Sequence, residues 1–139
     1  MQPKALLRIA AVAIAIFDLG HTVGGMILAP SHGAEEDALM ASLAAYEFDV
    51  MGSMRSHAEF YEGEGWYLSA TLTALLVMTW LLSSAVIESP TLVRRLSILF
   101  SIFFAVSAAL CAKFFFAAPL VMSVIASLAL GLAAMRLRT

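Results

Sequence analysis

A single cysteine, Cys111, is present in the chain, so neither an internal disulfide framework nor a CxxC metal or redox motif can form. Charge is scarce too: 13% of the residues are charged, where a soluble domain carries about a quarter. Against these shortages stand a 62% hydrophobic content and a mean hydropathy of +0.93. A chain of this kind cannot cover an aqueous surface, which excludes a freely soluble globular protein and a disordered one. The net charge of −2 offers no electrostatic footprint for a polyanion, so nucleic acid is excluded as a partner. Prolines number four (Pro3, Pro30, Pro90, Pro119), each near the end of an apolar run, where a missing backbone donor does least harm.

The apolar runs themselves are long. Crossing ~30 Å of hydrocarbon at ~1.5 Å per residue takes about 20 residues, and the sequence offers four such stretches, at about 5–29, 68–87, 96–112 and 114–135. Lipid cannot satisfy open backbone groups, so these runs are expected as helices, and the period-two alternation of a membrane barrel is absent. Pro119 leaves the start of the fourth span open: it begins near Phe114, or near Ala118 with Phe114–Phe116 in an interfacial turn. The first run follows Lys4 and Arg8 in the manner of a signal peptide, but it is long, carries Asp18 and His21, and lacks a small-x-small cleavage site, so it is read as retained. The expected fold is all-α, a four-transmembrane-helix bundle forming a single membrane domain over residues 1–139.

Four spans put Lys4, Arg8, Arg94, Arg95, Arg136 and Arg138 on one side and only Arg55 and Lys113 on the other. The positive-inside rule then places both termini in the cytoplasm of a bacterial inner membrane. The external segment 30–67 holds eight acidic residues against Arg55 alone, a net charge of −7. Its acids at 35–37 suit a helix N-terminus. Leu39, Leu43, Tyr46 and Val50 step by helical intervals, which predicts a short amphipathic helix from Ala38 to about Met51. Trp66 and Tyr67 fall where the second span enters the membrane, as an aromatic belt would place them.

Two polar clusters carry whatever chemistry there is. Asp18 lies in the middle of the first span, where an ionisable group costs on the order of 2.5–3.5 kcal/mol and needs a partner. His21, three residues on, shares its helix face. An aspartate beside an imidazole suits a general base or a metal or haem ligand; equally, the two residues satisfy each other or a backbone carbonyl and hold helices in register. Gly20 and Gly24 form a GxxxG pair, with Gly25 adjoining. They allow close helix packing, within the chain or in a homo-oligomer, or a groove for a flat ligand. The second cluster runs from Phe48 to Trp66. Read as helix, it makes Arg55–Glu59 and His57–Tyr61 i,i+4 pairs. Arg55, alone among acids, is expected to neutralise Asp49, Glu59 or Asp18. His32 reads as a surface-loop residue, and the serines and threonines of spans two to four as donors to backbone carbonyls.

The run His21-Thr-Val-Gly24-Gly25, followed by Phe48-x-x-x-Gly52-x-x-Arg55-Ser56-x-x-x-Phe60-Tyr61-x-Gly63-x-Gly65, resembles a largely uncharacterised family of small bacterial four-helix integral membrane proteins with HTxGG and RSxxxFYxGxG motifs. The resemblance covers roughly residues 5–70 and implies a fold, not an activity. Where that family has aromatic residues and then an acid after the Arg-Ser, and an apolar residue between the last two glycines, this chain has His57-Ala58-Glu59 and Glu64.

Both clusters are expected in the exterior half of the bundle, and three functions fit them. In the first, a pocket for a lipid or other hydrophobic small molecule uses Asp18, His21, Gly24, Gly25, Asp49, Arg55 and Tyr61. In the second, an intramembrane isomerase, cyclase or hydrolase uses His21 and Glu59 as acid and base, Asp18 to orient His21, and Tyr61 or Arg55 to stabilise developing charge. The third is a redox protein with haem on His21 and His57. A channel or pump lacks the intramembrane charges it needs in spans two to four. No metal-ligand motif is present, and the sequence names no cofactor.

Overall fold

The computed structural model describes residues 1–137; Arg138, counted above among the basic residues, lies outside them. The expected four long apolar helices are present. Helix α1 (Pro3–Leu19) continues directly into a π-helical segment, Gly20–Ile27. A short helix α2 (Ala34–Ala45) and a hairpin of β1 (Glu47–Val50) and β2 (Ser53–Ser56) follow. Three further helices, α3 (His57–Ser84), α4 (Pro90–Phe114) and α5 (Ala117–Arg136), complete the chain. Four of these, counting α1 with its π extension as Pro3–Ile27, are long and apolar enough to cross a membrane. Ile9, Val12, Val77, Leu99, Ile102 and Leu128 stand exposed on them, as lipid-facing residues do. This is a multi-pass membrane protein.

The chain divides into two compact units, Met1–Asp18 with Leu72 onward, and Leu19–Thr71. In the first, α1 buries Leu6, Leu7, Ala10, Ala11, Ala13 and Ile14, one helical stripe. On α4 the buried stripe is Val93, Ser97, Phe100, Phe104, Ala108 and Cys111; on α5 it is mostly alanine and serine. Lipid is as apolar as leucine, so burial of apolar area does not drive these helices together; close packing and hydrogen bonds do. Ser101 and Ser127 show how: each hydroxyl donates to the other's backbone carbonyl at 2.9 Å. Gly131 keeps that crossing tight, since a Cβ there would lie 3.1 Å from the Ser101 hydroxyl.

The second unit departs from expectation in two places. The amphipathic helix predicted over 38–51 instead spans Ala34–Ala45 and buries no residue. It begins earlier because Gly33 turns the chain at φ +123 and Glu35, Glu36 and Asp37 occupy the first turn. It ends earlier because Tyr46, Phe48 and Val50 alternate with Glu47 and Asp49, a period-two pattern that pairs as a strand. The hairpin turns at Met51 and Gly52, with φ values of +54 and +89, the signs a type I′ turn requires. Asp49 braces the turn by accepting the Gly52 N–H at 2.9 Å. The second departure is α3, which starts at His57, well before the predicted span. Its 28 residues make a rod of about 42 Å, longer than the ~30 Å hydrocarbon layer. At α5 the structure selects one of the two starts: Phe115 and Phe116 are extended and the helix opens at Ala117.

Candidate functional site

The π-helical segment holds the whole HTxGG run. Segments with i→i+5 bonding are rare and concentrate at functional positions; here Leu28 N–H still donates to Val23 O at 2.8 Å as the segment ends. In the second unit it meets the first half of α3. His21 Nε2 lies 3.0 Å from the Gly65 carbonyl oxygen, and Thr22 Oγ1 donates to Ser69 Oγ at 2.8 Å. Met26 covers Gly65 so closely that a Cβ on that glycine would collide with the Met26 thioether. The two motif halves therefore meet: the last glycine of the second supplies both the acceptor for His21 and the space for Met26.

A carbonyl oxygen only accepts, so His21 carries its proton on Nε2 when neutral. That leaves Nδ1 as the basic lone pair, 3.9 Å from where a Gly25 Cβ would stand. The pattern matches that of an imidazole oriented by a backbone carbonyl on one nitrogen and working through the other. Within the described residues no other helix packs on Gly20 or Gly24: nothing lies within 4 Å of a Cβ built on either, and the GxxxG pair stands exposed.

Arg55 sits on β2, not on a helix, opposite Phe48. The expected i,i+4 pair with Glu59 is therefore not formed, and neither is an ion pair with Asp49. Arg55 Nη1 donates to the Met54 carbonyl at 2.8 Å, and the one ion pair among the described residues is His32–Glu36. Glu59 is engaged otherwise. Its carboxylate accepts the Ser56 N–H at 2.7 Å while the Ser56 hydroxyl accepts the Glu59 N–H at 3.2 Å, a capping box that starts α3. His57 and Tyr61 do lie one turn apart on α3, as read. The His57 ring stacks on Tyr46 at 6.1 Å and packs on Phe48 at 4.7 Å, and Phe48 reaches Phe60 at 6.0 Å. This aromatic cluster pins the hairpin to the first turn of α3.

Beside the cluster is an open groove of about 350 Å³, lined by Arg55, Glu59, Phe60, Gly63, Glu64 and Tyr67. Of the predicted site residues it gathers Arg55 and Glu59. Tyr61, on the same helix, is not part of its lining, Asp49 is spent on the hairpin turn, and His21 with Gly24 and Gly25 belongs to the π segment. Asp18 is in the first unit, where Thr73 Oγ1 donates to its Oδ2 at 2.7 Å. Ser69 and Thr73, expected to bond backbone carbonyls, instead bond the Thr22 hydroxyl and the Asp18 carboxylate, and the readable S-x-x-E signal at Ser56 is a working helix cap. Among the described residues no group of three His, Cys, Asp or Glu side chains is placed to hold a metal. Comparison with protein-family models, with curated proteins and with solved structures yields no match.

Proposed function

We propose that this protein spans a bacterial inner membrane with both termini in the cytoplasm and binds a lipid or other hydrophobic small molecule at its exterior side. The Arg55 guanidinium carries the reading. It borders an open groove lined also by Glu59, Phe60, Gly63, Glu64 and Tyr67, and it forms an ion pair with neither carboxylate. A guanidinium left without a carboxylate beside aromatic faces suits an amphiphile whose head offers acceptors to Arg55 and donors to Glu64, and whose tail lies along the rings. The supporting experiment is native mass spectrometry of protein purified in mild detergent. A defined adduct in the parent, lost in Arg55→Ala and kept in Tyr61→Phe, supports the site; an adduct that survives Arg55→Ala rejects it.

An intramembrane acid–base enzyme is the second reading, favoured by the His21 Nδ1 lone pair that the Gly65 bond leaves available. Glu59, held in the helix cap, is a weaker partner for it than its sequence position implied, so binding ranks ahead of catalysis. The haem reading draws no support from His57, the second ligand it needs, because that ring is packed into the aromatic cluster with Tyr46 and Phe48.

A further inference from the structure

A second groove lies in the first unit, with Ile9, Val12 and Ile16 of α1 on one side and Met122 and Ile125 of α5 on the other, and with Arg8 at its end. Its volume is about 360 Å³, and Arg8 is its only charged residue. Arg8 to Ile16 spans eight residues, so the groove runs about 12 Å along the helix, close to the ~15 Å depth of one leaflet.

Arg8 lies inside a candidate span, where a guanidinium needs a counter-charge. Trp80 provides one face of contact, with the guanidinium carbon 5.0 Å from the ring centroid. No carboxylate pairs with it among the described residues. Lys4 stands one helical turn before it on α1, and Arg136 Nη1 donates to the Met1 carbonyl at 3.1 Å, so positive charge gathers at this end of the unit. An open apolar groove about as long as one leaflet is thick, ending in a cation with no carboxylate partner among the described residues and lying within a basic cluster, is complementary to one class of molecule. We propose that it is a binding site for an anionic phospholipid of the leaflet on the N-terminal side, with one acyl chain in the groove and the phosphate on Arg8. This site is separate from the Arg55 groove and does not depend on it.

Trp80 is a built-in reporter, since the chain has two tryptophans and Trp66→Phe leaves it alone. The test is fluorescence quenching of the Trp66→Phe protein in phosphatidylcholine vesicles doped with either brominated phosphatidylglycerol or brominated phosphatidylcholine. The phosphatidylglycerol is expected to compete about fivefold better, the preference one basic residue confers near a membrane surface. Arg8→Gln brings the two lipids to parity, whereas Arg94→Gln on α4 leaves the preference intact. Val12→Phe fills the groove from an exposed position, keeps Arg8, and lowers the preference even if Arg8→Gln cannot be produced. Equal quenching by the two lipids in the parent overturns the proposal. So does a preference that survives Arg8→Gln or Val12→Phe, or one that Arg94→Gln removes equally.

Discussion

His21 and Gly65 are 44 positions apart in the sequence and 3.0 Å apart in space, imidazole Nε2 to carbonyl oxygen. The contact fixes the tautomer of the one histidine in the first span and joins the π-helical segment to α3. It also gives Gly65 two duties, because the bare position makes room for the Met26 thioether. The two duties predict different mutational signatures.

Gly65→Ala places a methyl group against the Met26 thioether. Alanine gains up to about 1 kcal/mol over glycine in a helix interior, but the Met26 thioether, the free end of a flexible side chain, must swing aside to admit the methyl group. The single variant is expected to realise less than that gain. In a Met26→Ala background the same substitution is expected to be neutral or stabilising. A thermal double-mutant cycle with no coupling between the two positions would contradict the contact.

His21→Ala removes the donor and is expected to lower stability by about 0.5–1 kcal/mol, the range for one net hydrogen bond. His21→Gln, which can still offer an N–H to the carbonyl, should recover part of that loss. If both variants were as stable as the parent, the Gly65 contact would contribute nothing measurable to the fold.

Hydropathy made the four apolar helices legible, because twenty apolar residues can satisfy their backbone in lipid in only one way. The missed features depend on competition between local signals. At 46–50 the residues fit a helical stripe and a strand alternation equally, and only pairing with Ser53–Ser56 decides between them. Met-Gly is a weak turn dipeptide, and it carries a type I′ hairpin here because Asp49 accepts the Gly52 N–H. The start of α3 is hidden by three glutamates, which lower hydropathy, and by Gly63 and Gly65, which lower helix propensity; the Ser56–Glu59 capping box compensates for them. The candidate site was legible as a set of residue types, but not as a set of neighbours. Arg55 was read onto a helix beside Glu59, and its true place on β2 turns a supposed ion pair into two separate groove residues.

The capping box can be tested by itself. Ser56→Ala should cost about 1 kcal/mol, the usual loss when a cap is removed. Glu59→Gln retains an oxygen that can accept the Ser56 N–H and should cost little, while Glu59→Ala should approach the Ser56→Ala loss. Equal thermal shifts for the Gln and Ala variants of Glu59 would show that its carboxylate acts elsewhere.

Glu36 gives a pH signature at the start of α2. The His32 N–H and ring Nδ1 lie 2.6 and 2.8 Å from its Oε2. Those bonds, the backbone one first, hold its carboxyl below the ordinary 4.5. They favour the charged form in the folded chain only, so their contribution is complete above pH 4.5 and fades as the pH falls through the lowered folded value. A carboxyl carbon NMR titration should place the Glu36 midpoint under 4.5. His32→Ala removes the ring bond and the ring charge, and should move the midpoint back part of the way, since the backbone N–H remains. A midpoint unchanged by that substitution would remove the His32 ring as a cause.

Asp18 accepts from Thr73 at 2.7 Å, which makes the intramembrane carboxylate a tie between α1 and α3. Thr73→Val keeps the shape and deletes the donor, and is expected to cost about 0.6 kcal/mol, the average for a hydrogen bond between membrane helices. Asp18→Asn keeps an oxygen for the threonine and removes the charge. If the carboxylate serves only as that tie, the Asn variant is as stable as the parent and retains every adduct seen by native mass spectrometry. If its charge is used in binding or chemistry, the Asn variant keeps its stability and loses the adduct or the turnover. Measuring both properties on the one variant separates a structural aspartate from a functional one, which a stability scan alone cannot do.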